Sequence, residues 1–279
     1  MFSISSGIRR NRVIRSKNFS WDLNANFTRQ RNLVVSIAPG VDNTFIPGSR
    51  FTGSVASFKT GYPYGVIIGN VIPRSPDGQR IINPASGLYQ PTVAGGILAD
   101  PNPDYQFGVT NILNYKGFNL GFTFDFTKGG QVLSFTAATY KARGALDITA
   151  VDREQPHILP GVILDAASGK YYPNNIQISG QTYWSNGMGG LQSEFNVFDA
   201  TVLHLRELTL GYNAPASFTK DLKLAGLHFG IFARNVFYVA PNSPIDPQLN
   251  TQGAGNIRGL DLQGVPNARS IGFNIKITI

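Results

Sequence analysis

The chain has 279 residues, no cysteine, 14% charged residues and a formal net charge of +8. The lack of cysteine excludes disulfides, thiolate metal ligands and cysteine nucleophiles. No stretch approaches 18 consecutive apolar residues, which excludes a transmembrane helix. The positive charge lies mainly in residues 1–31, without the stacking aromatics or the known module that nucleic-acid binding requires, so we expect no nucleic-acid partner.

Alternation of apolar and polar residues predicts the strands of the first half. A strand end over residues 2–8 and a basic connection over 8–18 precede the first full strand at 19–27. Residues 28–106 follow as a long insert rich in Pro and Gly, which mark turns. A hairpin then joins strands 107–115 and 118–126 across Lys116-Gly117. Side chains two apart point to the same face of a strand, so each strand has one apolar face.

The second half continues the pattern with longer interruptions. An insert over 128–198 contains a segment, 132–140, that can form a strand. Strands at 202–212 and 227–237 follow, then an insert over 239–269 and a closing strand at 271–279. The chain therefore predicts seven principal strands and three long inserts.

The length and one-sided character of these strands favour a lipid-facing barrel wall, because a strand crosses a bilayer in about 9–11 residues. The predicted lipid-facing residues are Phe19, Trp21, Leu23, Phe118, Leu120, Phe122, Phe124, Phe126, Phe273, Ile275, Ile277 and Ile279. The alternative is a soluble β-sandwich, for example a carbohydrate-binding module. It would bury Phe118, Phe122 and Phe126 against a second sheet.

Connection lengths predict how the wall is oriented and how complete it is. Outer-membrane barrels keep short turns in the periplasm and long loops outside, so the three inserts are expected outside. Single-chain bacterial barrels have an even number of strands, and the first residues lack the apolar core of a signal peptide. We therefore expect the chain to be part of a larger barrel.

The residues predict no catalytic centre, no metal site and no cofactor. The three histidines are scattered without ligand spacing, and no ligand-binding residue can be named. Aromatic residues of the second insert can stack on sugars, contact a partner or form an interfacial girdle: Tyr171, Tyr172, Tyr183 and Trp184. Four charged or basic residues near wet strand positions can set the polarity of a lumen or form cross-strand ion pairs: Arg206, Glu207, His228 and Arg234.

Several sequence blocks, in order, resemble the C-terminal barrel region of SusC/RagA-type TonB-linked outer-membrane transporters. They are Pro101-Asn102-Pro103-Asp104-Tyr105 with Tyr115-Lys116-Gly117-Phe118-Asn119-Leu120; Leu203 to Tyr212; Ala233-Arg234-Asn235-Val236-Phe237 with Pro244-Ile245-Asp246-Pro247; and Pro266 with Arg269-Ser270. The resemblance implies an all-β chain, a partial antiparallel transmembrane β-barrel with long extracellular loops. Residues 1–279 would be the last third of a 22-stranded barrel.

The resemblance also implies a location and partners. It places the chain in the outer membrane as a multi-pass barrel, in contact with lipid, in a transporter that imports oligosaccharides or peptides. A SusD-like surface lipoprotein would act as a lid. The TonB complex would act only through an N-terminal part, because the signal peptide, TonB box and plug domain are absent from residues 1–279. The remaining alternative is a truncated transporter fragment without independent activity.

Overall fold

The computed structural model describes residues 2–51, 53–190, 192–252 and 255–279, with side chains from residue 13 onwards. The first part of the chain is a long hairpin followed by an insert of short strands. In chain order its elements are β1 (Phe2–Arg15), β2 (Phe19–Arg31), β3 (Asn43–Phe45), β4 (Ser54–Lys59), β5 (Val66–Val71), β6 (Ile81–Ile82) and β7 (Val93–Ala99).

The middle of the chain is a second hairpin followed by an insert of mixed structure. Its elements are β8 (Tyr105–Tyr115), β9 (Phe118–Lys128), β10 (Gln131–Ser134), α1 (Phe135–Ala142), β11 (Val162–Leu164), β12 (Tyr171–Pro173), α2 (Gly180–Thr182) and β13 (Val197–Asp199). The last part contains β14 (Val202–Asn213), α3 (Ala216–Asp221), β15 (Gly226–Val239), β16 (Leu260–Asp261) and β17 (Ser270–Thr278).

Seven long strands form one antiparallel sheet, the wall, in the order β1-β2-β8-β9-β14-β15-β17. The seven predicted principal strands are confirmed in number and sequence order. The predicted connection over residues 8–18 was wrong, because β1 continues to Arg15 and only Ser16–Asn18 turns. Strand β1 pairs with β2 up to Arg15, which lies opposite Ser20, so most of the basic segment belongs to the sheet and not to a connection.

The register places the apolar residues of neighbouring strands side by side. One row across the wall contains Trp21, Leu113, Leu120, Leu210, Ile231 and Phe273. Directly paired residues point to the same side of a sheet, so these rows form one apolar face. The predicted lipid-facing residues within β2, β9 and β17 belong to it, and Ile279 lies just beyond β17. Phe118 is 53% exposed and neither Phe122 nor Phe126 is buried, which contradicts the sandwich alternative.

Strand β14 contains an irregularity, which appears in its sequence as an interruption in the alternation of apolar and polar residues. Its register shifts between Leu205 and Glu207 against both β9 and β15. Relative to β9, β14 has one extra residue at this point, a β-bulge that changes the phase of alternation; relative to β14, the extra residue lies in β15. As a result Leu203 and Leu205 share the apolar face with Leu208 and Leu210, although the two pairs are out of step in the sequence.

The three inserts leave the wall at the same end and fold together. Residues 32–104, 129–201 and 240–269 are called the cap below. Strand β6 of the first insert pairs in parallel with β11 of the second, and β10 of the second pairs in parallel with β16 of the third. Two buried clusters join the inserts: Ile67, Ala99, Leu133, Phe135 and Leu260; and Ile72, Ile82, Tyr89, Leu159 and Ile178.

The predicted strand over 132–140 was wrong beyond its first residues. Strand β10 ends at Ser134, and helix α1 begins at Phe135. The Ser134 hydroxyl accepts a hydrogen bond from the Ala137 N–H, the usual role of a serine that caps a helix N-terminus. The Asp261 carboxylate, brought by β16, also accepts from the Thr136 N–H. Local capping and a distant partner together convert the segment to a helix.

Candidate functional site

The polar face of the wall, where it meets the cap, carries the most developed cluster of polar side chains. Two clefts of about 400 Å³ each open there. The first is lined by Gln106, Asp125, Thr127, Gln248 and Arg258, among others. The second is lined by His204, Tyr238, Asp246, Asn267 and Arg269, among others. Both combine side chains of the wall with side chains of the third insert.

The bulge in β14 contains Arg206, whose side chain contacts two residues that line the first cleft. Its Nη2 donates to Asp125 Oδ2 at 3.0 Å, and its Nε donates to the same oxygen at 3.3 Å. Arg206 also donates to the side-chain oxygen of Gln248, whose Nε2 donates to Thr127 Oγ1 at 3.0 Å. The third insert is thus fastened to the wall by a charge-assisted network. Glu207, the next residue of β14, forms an exposed ion pair with Arg234 of β15, with Oε1 and Nε 3.4 Å apart.

A second attachment joins His204 of β14 to Asp246 of the third insert. His204 is 3% exposed, and its Nε2 lies 3.2 Å from both carboxylate oxygens of Asp246. Asn267 Nδ2 and the Gln248 N–H donate to the same carboxylate. Burial alone raises the pKa of Asp246, but these hydrogen bonds outweigh burial and hold the pKa below its usual range. Within the described chain, His204 Nδ1 is buried without a partner.

The lowered pKa of Asp246 predicts a pH-dependent attachment of the third insert. A carboxylate with a depressed folded pKa adds stability above its unfolded pKa of about 3.9, and that stability is lost as the pH falls through the folded value. We expect amides near Asp246 to exchange hydrogen faster below about pH 4, after correction for intrinsic rates. In the variant Asp246→Asn, the same amides should exchange faster than in the wild type even at neutral pH. Equal exchange in wild type and variant at pH 7 would contradict this prediction.

The predicted aromatic residues of the second insert have different surroundings. Tyr183 stacks on His157 with ring centroids 4.6 Å apart and contacts Trp184 edge to face at 5.1 Å. Burial raises the pKa of the Tyr183 hydroxyl. Tyr172, in β12, is 50% exposed. Tyr183 and Trp184 therefore pack the insert against itself, whereas Tyr172 is open to solvent.

Two further observations bear on other kinds of function. In residues 13–279, apart from the short gaps already given, no group of three or more His, Asp or Glu side chains is arranged to hold a metal ion. Across the part of the chain that the structure describes, no helix is long and apolar enough to cross a membrane.

Comparison with known proteins identifies the relatives of the chain. No family model matches it. A protein of Formosa agariphila named TonB-dependent receptor P3 is 26% identical over 313 aligned positions, which cover 99% of this chain. The chain is similar to TonB-dependent receptors. It spans about 28% of the length of that relative.

Solved structures show that this TonB-dependent-receptor-like chain shares its fold with a SusC-like transporter. The RagAB peptide importer in its open-open state matches with a TM-score of 0.58 and 15% identity, and in its closed-closed state with a TM-score of 0.57 and 15% identity. Both alignments cover 99% of this chain and 28% of the solved chain. The predicted resemblance to the SusC/RagA type and the all-β fold are confirmed.

The likeness to the solved RagAB chains accounts for the fold of the wall. Sequence reasoning placed Arg206 and Glu207 near wet positions, and the structure pairs Arg206 with Asp125. It missed the pairing of His204 with Asp246. The sequence did single out Asp246, because it lies within the Pro-Ile-Asp-Pro block that carries the resemblance, but it did not indicate a partner for this carboxylate.

Proposed function

We propose that residues 1–279 form the C-terminal wall of a larger outer-membrane barrel, with further strands pairing at the edges β1 and β17. The apolar face carries this proposal. It extends across the wall, and residues such as Ile231 and Phe273 are 58% and 78% exposed. An apolar face of this extent on a folded chain needs an apolar environment. Unpaired strand edges in lipid cost several kcal/mol per backbone group, so the barrel closes.

We propose that the complete protein imports oligosaccharides or peptides and has no enzymatic activity. The polar face then lines the lumen, and the cap lies on the extracellular side. The clefts beneath the cap present guanidinium, carboxylate and amide groups, which can bind the hydroxyls of sugars or the amides of peptides. RagAB, whose fold the chain shares, is a peptide importer, and this likeness supports the peptide class.

We infer that the cap meets a SusD-like surface lipoprotein, which closes over the ligand. Exposed apolar residues of the first insert suit such a contact: Leu33, Val35, Val41, Phe45 and Tyr62. The TonB complex acts through a part of the protein outside residues 1–279. Outer-membrane lipid covers the apolar face.

The test of the wall places one charge on each face at the same depth. Phe122 lies on the apolar face in the middle of β9, and Thr123 lies beside it on the polar face. We expect Phe122→Arg to destabilise the inserted protein by about 2–3 kcal/mol, the cost of a lipid-facing Arg near the bilayer midplane. Thr123→Arg should insert normally, because it faces Glu207 on β14.

Membrane fractionation and protease resistance of the native outer-membrane protein would distinguish these variants. Equal insertion of the two variants would contradict the assignment of the faces. The intact mass of the native protein tests the partial-barrel proposal separately. A mass far above 30.3 kDa supports it. A 30.3 kDa species that is soluble without detergent contradicts it and favours a fragment or a binding module.

A further inference from the structure

The second insert contains a cleft of about 710 Å³ that is distinct from the two clefts on the polar face. Its lining comes from the end of α1, from residues 149–156 and from the start of α2. Lys141, Thr149 and Gly180 are buried at this cleft, whereas Arg143 and Arg153 are exposed. The rim of the cleft is therefore cationic, and Lys141 lies at its buried side.

Lys141 is a buried cation without a buried anion. It is 8% exposed, donates to the Phe195 carbonyl oxygen, and lies with Nζ 5.1 Å from the centre of the Phe198 ring. Among the described residues, no carboxylate is within ion-pair distance of its ammonium group. Buried charges in proteins are normally paired. Burial accordingly lowers the pKa of Lys141 to about 8.

The arginines at the rim likewise lack an ion-pair partner in the part of the chain that the structure describes. Neither Arg143 nor Arg153 forms an ion pair within the described chain. The guanidinium of Arg153 rests above Gly144, where a Cβ atom would lie 2.6 Å from Nη2. Glu154 is an acidic side chain on the same rim. One carboxylate against three cations leaves the cleft with an excess of positive charge.

These cations are not required to satisfy the C-terminus of α1. The N–H groups of Arg143, Gly144 and Ala145 donate to the carbonyls of Thr139, Lys141 and Tyr140, respectively. The last turn is therefore closed by backbone hydrogen bonds, and the side chains remain available.

We propose that this cleft binds the carboxylate of a small acidic ligand, a sugar acid or an acidic peptide. The planar guanidinium groups of Arg143 and Arg153 can bind a carboxylate with two parallel hydrogen bonds, and Lys141 adds a buried positive charge behind the lining. The size of the cleft suits a ligand of about two sugar or amino-acid residues. The site lies in the cap and does not depend on membrane insertion.

The test is a binding titration of the native protein that contains this chain, purified in detergent. The probes are digalacturonate and the dipeptide Glu-Glu, and the neutral controls are digalactose and Gln-Gln. We expect at least one acidic probe to bind at least tenfold more tightly than its neutral control. Binding of only one of the two acidic probes supports the site and shows whether its ligand is a sugar acid or an acidic peptide. Equal affinity for acidic and neutral probes overturns it.

Variants separate the cleft from a general effect of positive charge. Arg153→Gln should weaken binding of the acidic probe about tenfold. Arg50→Gln, at an exposed arginine of the first insert that lines none of the three clefts, should leave it unchanged. An equal loss in both variants contradicts the proposal. If the protein proves to be soluble, these titrations still test the cleft, so failure of the barrel proposal and failure of the cleft are distinguishable.

The pH dependence of binding gives a second readout. Below about pH 8 Lys141 is protonated in the free protein and attracts a carboxylate, and above that pH it loses its proton. The affinity for the acidic probe should therefore fall as the pH rises from 7 to 9. A flat profile over that range would show that Lys141 does not contact the ligand. The variant Lys141→Met should bind weakly at every pH.

Discussion

Replacement of Glu194 by alanine is expected to destabilise the cap by about 3–4 kcal/mol, because it breaks a largely buried ion network. The Glu194 side chain is 9% exposed. Its carboxylate accepts from Arg74 Nη2 at 2.8 Å, from Arg80 Nε at 3.1 Å and from the Ile72 N–H at 2.6 Å. The glutamate belongs to the second insert and all three donors belong to the first. Alanine would leave the Ile72 amide and the partly buried Arg80 without their acceptor.

Native-state hydrogen exchange measures this effect as the free energy of local opening. Amides of β5 and β6 in the first insert should lose protection in Glu194→Ala, while those of β9 in the wall keep theirs. Glu154→Ala is the matched control, because Glu154 is an exposed glutamate of the same insert. It should change the opening free energy by less than about 0.5 kcal/mol. Similar small effects in both variants would show that the network does not hold the inserts together.

Replacement of Asp261 by alanine is expected to cost about 3–5 kcal/mol, because one buried and two partly buried donors lose their acceptor at about 1–3 kcal/mol each. Asp261 is 0% exposed. Its carboxylate accepts from Ser134 Oγ at 2.6 Å, from Thr136 Oγ1 at 2.9 Å and from the Thr136 N–H at 3.3 Å. A carboxylate at the first turn of a helix also interacts favourably with the helix dipole. Asp261 therefore supports both the start of α1 and the pairing of β10 with β16.

Asp261→Asn provides a graded test of this role. Asparagine keeps one acceptor oxygen but introduces an amide group where one hydroxyl donor points. We expect its opening free energy to lie between those of wild type and Asp261→Ala. Asp77→Ala, at an exposed turn, should lower stability by less than about 1 kcal/mol. If hydrogen exchange in α1 is unchanged in Asp261→Ala, the capping role of Asp261 is refuted.

The wall was predictable from the sequence because its signal is local. Each strand alternates over about ten residues, as in Phe118, Leu120 and Phe122, and the hairpin at Lys116-Gly117 follows from two adjacent residues. Both backbone conformations at that turn have positive φ, of 45° and 90°. The order of strands along the wall then follows from the antiparallel connection of neighbours.

The cap could not be predicted in the same way because its contacts are distant in sequence. Ile67, Leu133 and Leu260 belong to three different inserts but share one buried cluster. The strands that contain these residues are too short to show an alternation of apolar and polar residues. The Pro and Gly residues between them indicated only that turns were present. The same limit applies to the polar face. His204 and Asp246 are 42 residues apart, and the bulge at Arg206 disturbs the alternation that would have assigned His204 to the polar face.

The parallel pairing of strands between inserts has a consequence for the exchange of ligand preference between related transporters. Strand β11 has partners in both the first and the second insert, and β10 has partners in both the second and the third. If a single insert were replaced by that of another protein, one strand of each parallel pair would be foreign, and its side chains would not fit the native strand beside it. Chimaeras should therefore transfer specificity only when all three segments are transplanted together, and natural variation at one insert is expected to be inherited with compensating changes in the others.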